Sequence, residues 1–433
     1  MAVSRRQFLI GGGLAAAAMG MGLAGCGSDS GGGASSDGSA NLQFCWWGNE
    51  VRNKNTNAAI AAYTKANPTV KIAAQPGEFA TYWDKLATQT AGNTAPDIIQ
   101  MDMAYISEYG TRGALLDLEA NGADVSKFAE GTVDSGKIDG KLVGINAGLN
   151  SACIFANPEI FEKAKMEMPN DKKWTWDELS EIAAEVSSKA NVTFGIAALF
   201  PQEATFTSFI RQNGKEVFVD KGLGIDAADA TPWFELMMKY LDAGSMGTAA
   251  NFSEELAKPL DQSAVVVGSA AMQYYNSNQL EAVSKAAGKE LVILRFPSLV
   301  GDAKERKTWY KASQLFSASA RSKNPDEAVK FINWLVNSPE SANINLAERG
   351  IPANTEMLAL VQPKLSKEQK AVAKFIADIK PEITTPAPIA PPPGGGTIAL
   401  VLQRACTDAL FGKLSPADAA SKFIDELKSQ LTG

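Results

Sequence analysis

The chain has 433 residues, a formal net charge of −7 and no histidine; 45% of it is hydrophobic, 21% charged and 8% aromatic. This composition excludes both a disordered chain and a membrane bundle, and a length beyond the roughly 250 to 300 residues that one core supports predicts two lobes. Without a basic tract, nucleic acid is excluded as a partner. Without imidazole, triad hydrolases and zinc–histidine sites lose their usual parts, and a glycosidase working through two carboxylates stays among the enzymes still open.

At the N-terminus, Ser4-Arg5-Arg6-Gln7-Phe8-Leu9 precedes a Gly/Ala/Met/Leu run that ends in Leu23-Ala24-Gly25-Cys26. The paired arginines read as a twin-arginine export signal over residues 1–25, and the small residues before Cys26 as a lipoprotein cleavage site, with Cys26 the lipidated (palmitate-bearing) first residue of the mature chain. An uncleaved membrane span is the competing reading, because the run from Phe8 to Gly25 approaches the roughly 20 residues a membrane helix needs. Its repeated glycines argue against that by weakening helix propensity. The rest of the chain is therefore expected on the extracytoplasmic face of the cell membrane. Residues 26–40, rich in Gly and Ser, read as a flexible tether.

Ordered sequence is expected from Leu42, where Leu-Gln-Phe-Cys-Trp-Trp is a short apolar run ending at Gly48, as a buried strand would. A helix over about 55–66 stops at Asn67-Pro68, and a strand over 70–74 completes a unit typical of a parallel sheet. The pattern recurs with a helix over 82–91, a turn at Ala95-Pro96-Asp97 and a strand over 98–101. Short strands over 141–145 and 152–156 flank the polar loop 146–151, where the chain crosses to the second lobe. There, helices are expected over 174–188 and 232–243, and strands over 193–197, 265–267 and 291–296. After Asn324 as N-cap and Pro325 at the first helical position, Ala328, Val329, Ile332, Leu335 and Val336 mark one buried helical face. The stretch 381–396 is read as irregular, and a helix over 416–431 closes the chain.

Several motifs carry little. Gly222-Leu223-Gly224 matches a dinucleotide fingerprint in its glycines alone and fits a surface turn better. Gly394-Gly395-Gly396 lacks the Lys-Ser/Thr of a phosphate loop and reads as a flexible turn, and no Gly-x-Ser-x-Gly elbow is present. After Cys26, only Cys45, Cys153 and Cys406 remain; buried free thiols are the plainer reading, although two of them could pair.

The aromatic residues carry more. Trp46 and Trp47 end a strand beside Asn49, Glu50 and Arg52; Tyr274-Tyr275-Asn276 is read as the loop after a strand-like segment; Trp309 and Tyr310 begin a third cluster. Flat rings for sugar faces beside Asn, Asp, Glu or Arg for hydroxyls suit a carbohydrate, and in open α/β proteins ligands sit at the carboxyl ends of strands and between domains. Consecutive strand residues point to opposite faces, so Trp46 and Trp47 cannot both enter one core.

With these residues in view, the chain resembles the family 1 extracellular solute-binding proteins, the sugar-capturing lipoproteins of ATP-driven importers. The resemblance is carried by CWWGNEVRNKNTNAAIAAYTKANPTVKI from Cys45, KLATQTAGNTAPDIIQMDMAYISEYGTRGALLDLE from Lys85, KLVGINAGLNSACIFANPEIFEKAK from Lys141 with WTWDEL at Trp174, and QLFSASARSKNPDEAVKFINWLVNSPE from Gln314 with RGIPAN from Arg349. It implies an α/β, two-lobed fold of the periplasmic-binding-protein type, with a hinge and an interlobe ligand cleft. Residues 41–150 would begin lobe 1, 151–310 would form mainly lobe 2, and 311–433 would return through the hinge into C-terminal helices on both lobes. It also implies a monomer that does no chemistry and needs no cofactor or metal, capturing a carbohydrate, an oligosaccharide in the first instance, for the transmembrane permease of an ABC transporter. The family's contact loops fall on Trp47, Asn49, Glu50, Asp102, Asn146, Asn150, Tyr274, Tyr275, Asn276 and Trp309; the Gln273-Tyr274-Tyr275-Asn276 stretch departs from the common pattern, which has Gly or Ser and a Trp. Two rivals stand beside this reading: a secreted glycosidase recruiting Glu50 and Asp102, and a surface lipoprotein that mediates protein contacts alone.

Overall fold

The computed structural model describes residues 39–219 and 222–431. The leader, Cys26 and nearly all of the tether lie outside the described residues. Two sheets organise the chain. In the first, the spatial order is Val70–Gly77, Ala40–Trp47, Ile98–Met101, Leu315–Ala318 and Ile145–Asn146, with Leu315–Ala318 antiparallel to both of its neighbours and the other four strands running the same way. Period-two alternation explains why helices cover both of its faces. Leu42, Phe44 and Trp46 meet Ile60 and Tyr63 of helix Glu50–Ala66 and Phe331 and Ile332 of helix Pro325–Asn337. Cys45 and Trp47 point the other way, toward Tyr82 and Leu86 of helix Phe79–Ala91 and Ile106 of helix Met103–Thr111.

The second sheet runs Val292–Leu294, Ala152–Ala156, Ala270–Asn276, Phe194–Ala197. Ile154, Met272 and Ile196 share one face with helices Trp176–Ala190, Ala227–Asp242, Ile398–Leu410 and Pro416–Leu431, whereas Cys153, Phe155 and Tyr275 meet Phe375 and Ile379 of helix Lys367–Ile379 on the other. This is the two-lobed α/β architecture. Among the described residues no helix is long and apolar enough to cross a membrane, and Cys45, Cys153 and Cys406 are buried free thiols.

The lobes are joined by a ribbon. Leu149–Asn150 pairs antiparallel with Lys311–Ala312, and Leu149 bonds on its other side to Ile351 through Leu149 N to Ile351 O at 2.7 Å and Ile351 N to Leu149 O at 2.9 Å. The strands approach so closely that a Cβ on Gly148 would lie 2.3 Å from the Arg349 carbonyl oxygen, and Gly350 adopts a φ of +101° that side chains resist. The Arg-Gly-Ile-Pro-Ala-Asn motif thus has a backbone reason for its glycine. Arg349 is buried beside it, donating to Thr56 Oγ1 at 2.7 Å; burial pulls its pKa down to about 9, against the pull of Glu348.

Several expectations need correction. The first helix begins at Glu50, because the Asn49 side chain caps it by accepting from Arg52 N at 3.0 Å. Residues 265–267 form a turn and not a strand; the amides of Ala264 and Val265 are taken by Glu255 Oε1 and Gln273 Oε1 at 2.8 and 2.9 Å instead of a ladder. Tyr274, Tyr275 and Asn276 belong to a strand, not to a loop. The helix expected from Pro232 starts at Ala227, where Asp226 and Asp229 form a capping box and Pro232 is tolerated inside. Residues 141–145 divide into Lys141–Leu142, in a hairpin with Lys137–Ile138, and a separate strand that opens at Ile145.

Trp46 is fully buried and donates Nε1–H to Asn53 Oδ1 at 2.8 Å. Trp46→Ala is expected to cost about 3–5 kcal/mol, read as a lower urea midpoint with an unchanged m-value.

Candidate functional site

Facing the junction of the lobes is a cavity of about 490 Å³ bordered by Glu130, Asp134, Lys137, Trp309 and Lys380, with residues 383–390 along one side. It shares Trp309, Pro388 and Ile389 with a smaller chamber of about 50 Å³ reached by Asp102, Glu203, Thr207 and Lys311. Asp102 comes from the first lobe and Glu203 from helix Glu203–Gln212 of the second, so the chamber is an interlobe space. A separate depression of about 400 Å³ lies on the second lobe around Thr175, Pro232 and Leu299.

Each acid is held by its helix. Asp102 is the N-cap of Met103–Thr111, accepting from Ala104 N at 2.9 Å, and Glu203 opens its helix in the first turn, where the helix dipole favours a negative charge. Burial raises the Glu203 pKa, as does Asp102, against the pull of Lys311. Lys311 belongs to the crossover ribbon; burial disfavours its charge, but Asp102 and Glu203 outweigh this and raise its pKa.

Trp309 is set by Arg211. The guanidinium carbon lies 5.4 Å from the indole centroid, covering one ring face, while its nitrogens donate to Glu216 Oε1 at 2.9 Å, Lys307 O at 3.1 Å, Thr385 Oγ1 at 2.8 Å and Pro386 O at 2.5 Å. The same side chain therefore fixes Trp309 and the proline-rich segment. That segment is a strap across the cleft: it leaves Glu382, buried with Arg295 (2.8 Å) and Arg306 (3.0 Å), and touches the first lobe at Ala390, which packs against the core that holds Tyr82, Met103 and Ile106. Proline restricts φ and removes amide donors, so an extended crossing leaves few backbone groups unsatisfied. The triple glycine is a packed junction and not a flexible turn. A Cβ on Gly394 would lie 1.9 Å from Gln430 O, and one on Gly396 2.4 Å from Ala104 O.

The positions singled out in the sequence fall into three groups. Asp102 and Trp309 line the cleft. Trp47 ends its strand but is only 8% exposed, ringed by Phe79, Tyr82 and Trp83 at centroid distances of 5.6, 5.1 and 5.3 Å; Asn49 is a helix cap and Glu50 an exposed first-turn residue. The others serve the lobe junction and the second sheet. Asn146 Oδ1 accepts from Gly148 N at 2.8 Å, and Asn150 Nδ2 donates to Asn278 Oδ1 at 3.0 Å. Tyr275 stacks on Phe155 and bonds Ser263 Oγ at 2.6 Å, Tyr274 stacks on Phe296 across the sheet, and Asn276 N donates to Gln279 Oε1 at 3.0 Å. Sequence reasoning missed Glu203, Lys311, Arg211 and the strap, as well as a first-lobe aromatic cluster in which Phe79, Trp83 and Tyr105 join Trp47. In that cluster Trp83 stacks on Tyr105 at 4.0 Å, and its buried Nε1 has no partner among the described residues.

Residues 58–375 match the bacterial extracellular solute-binding protein family. The chain belongs to that family. Among curated relatives it is similar to a galactooligosaccharide-binding protein of Bacillus subtilis (strain 168), 24% identical over 432 residues, covering 96% of this chain and 95% of that protein. Among solved structures it is similar to a periplasmic oligogalacturonide binding protein from Yersinia enterocolitica in complex with saturated digalacturonic acid, with TM-score 0.79, 21% identity and coverage of 90% and 98%. It is also similar to an ABC substrate-binding protein from Listeria monocytogenes in complex with cycloalternan, with TM-score 0.75, 20% identity and coverage of 91% and 99%. In this solute-binding protein the strap's anchor is testable without a ligand. Glu382→Ala leaves the Arg295 and Arg306 guanidiniums short of a buried counter-charge and is expected to cost about 3–5 kcal/mol, measured as a loss in urea midpoint that Glu382→Gln only partly reproduces.

Proposed function

We propose that this chain is the extracellular substrate-binding component of an ABC transporter, a membrane-tethered monomer that captures an oligosaccharide between its lobes and delivers it to the transmembrane permease. The observation that carries this is the interlobe cavity of about 490 Å³, a volume in the usual range for small-ligand sites. It has an indole held by Arg211 and continues into a chamber of hydroxyl-binding side chains. Flat apolar surface beside carboxylate, ammonium and hydroxyl groups matches the two kinds of surface a sugar presents. The galactooligosaccharide-binding relative supports the same ligand class.

Asp102 and the neighbouring cavity acids act in this reading as hydrogen-bond acceptors and do no chemistry. Binding closes the lobes about the three-stranded ribbon, because a ligand that touches both walls favours the state in which both are in reach. Cys26 carries the lipid anchor after twin-arginine export and cleavage of residues 1–25. Cys26→Ala is then expected to release the protein into the medium or leave an uncleaved precursor. Mass spectrometry of the membrane-extracted protein checks this, and an unmodified Cys26 there contradicts it.

The ligand claim is tested by thermal-shift screening against neutral and acidic oligosaccharides, followed by titration calorimetry, since a ligand bound only by the folded state raises its stability. Trp309→Ala is expected to weaken the best ligand by roughly 30-fold, about 2 kcal/mol, with little change in melting temperature. Prolonged incubation with that ligand should release no new reducing ends. Hydrolysis that is lost in Asp102→Asn would instead establish the glycosidase.

A further inference from the structure

The charged chamber has features that a generic sugar site does not require. Asp102 spends one carboxylate oxygen on its helix cap. The Glu203 carboxylate and the Lys311 ammonium line the same space, yet neither makes an ion pair or side-chain hydrogen bond with any described residue. Groups this enclosed are normally paired. Here they sit at the rim of an interlobe space, aimed at whatever fills it. The three charges come from three independent elements, a first-lobe helix, a second-lobe helix and the crossover ribbon, so the fold itself brings them together.

The sign of the charge discriminates among sugars. In the chamber, two carboxylates face one ammonium. In the larger cavity, Lys137 is paired with Asp134 at 3.2 Å, leaving Glu130 and Lys380 to offset one another, and Arg211 is paired with Glu216. The cleft therefore retains an excess of negative charge, concentrated at Asp102 and Glu203.

We propose that Asp102, Glu203 and Lys311 form a charge-selective subsite that takes the hydroxyls of a neutral sugar residue and rejects a uronic acid. Hydroxyls donate to the two carboxylates and accept from Lys311, completing the bonds these groups lack. A uronate carboxylate brings a third negative charge into the chamber, where low dielectric and restricted water strengthen the repulsion, and specificity of this kind arises from the unfavourable contact as much as from the favourable one. The proposal rests on the carbohydrate reading above and adds the substrate class.

The test uses the mature chain and calorimetric titration with neutral di- to pentasaccharides of galactose, glucose and arabinose, and with di- and trigalacturonate as probes. The wild type is expected to bind at least one neutral oligomer about tenfold or more tightly than either uronate. In the double variant Asp102→Asn/Glu203→Gln, where Asn can still cap the helix, neutral binding should weaken and the ratio of neutral to uronate affinity should fall by about tenfold. Lys311→Gln should move that ratio the opposite way, and it carries the test alone if the double variant does not fold. Uronate binding equal to or tighter than neutral binding overturns the proposal, as does a ratio unmoved by these substitutions. Binding of neither class overturns the carbohydrate reading itself, an outcome distinct from a uronate preference.

Discussion

The passes of the chain between its lobes are bonded to one another. Leu149 sits between Ala312 and Ile351, so the outward crossing, the return and the later passage through Arg349-Gly350-Ile351 form one narrow ribbon instead of three independent linkers. A ribbon paired on both sides of Leu149 holds the three crossings in one register. The close approach at Gly148 and the positive φ of Gly350 are what let the three backbones meet. Asn146 and Asn150, polar residues buried at this junction, satisfy the ribbon's own donors and its second-lobe neighbours.

From that ribbon the cleft follows. Lys311 is a ribbon residue and Trp309 lies just before it, so both sit at the junction of the lobes. Helices then deliver their N-termini to the same place, Asp102 from one lobe and Glu203 from the other. Arg211, about two turns beyond Glu203 in the same helix, binds the strap and covers the indole. A side chain that spends its donors on Glu216, Lys307, Thr385 and Pro386 is held in place by all of them, and preorganisation of this kind lowers the entropy lost when a ligand is ordered.

Much of the first lobe was legible because its signals are local. The apolar run at 42–47 ends where the strand ends, and the strict alternation of a strand separates Trp46 from Trp47, which enter different cores. Polar residues at strand ends were harder to read, since Asn and Asp serve equally as ligand contacts and as helix caps; Asn49 is a cap, while Asp102 is a cap that also borders the cleft. Helix Glu203–Gln212 escaped notice because Thr, Phe and Ile dilute its helix propensity, and with it went Glu203 and Arg211. The apolar triplet at 265–267 resembled a strand, but a short apolar run does not distinguish a strand from a buried turn. The strap was illegible for another reason. Its order comes from contacts with Arg211, Glu382 and Ala104, distant in sequence, whereas its proline and glycine content alone suggests only the absence of regular structure.

The ligand is proposed to lie against Trp309, between the larger cavity and the charged chamber. Fluorine NMR of protein labelled with 5-fluorotryptophan tests this directly, since the eight tryptophans of the chain are spread over both lobes. On saturation with a bound oligosaccharide, the Trp309 resonance should shift most, while the buried Trp46 and Trp233 stay nearly fixed. If Trp174 and Trp176, near the second-lobe depression, shift while Trp309 does not, the ligand binds elsewhere and the interlobe account is wrong.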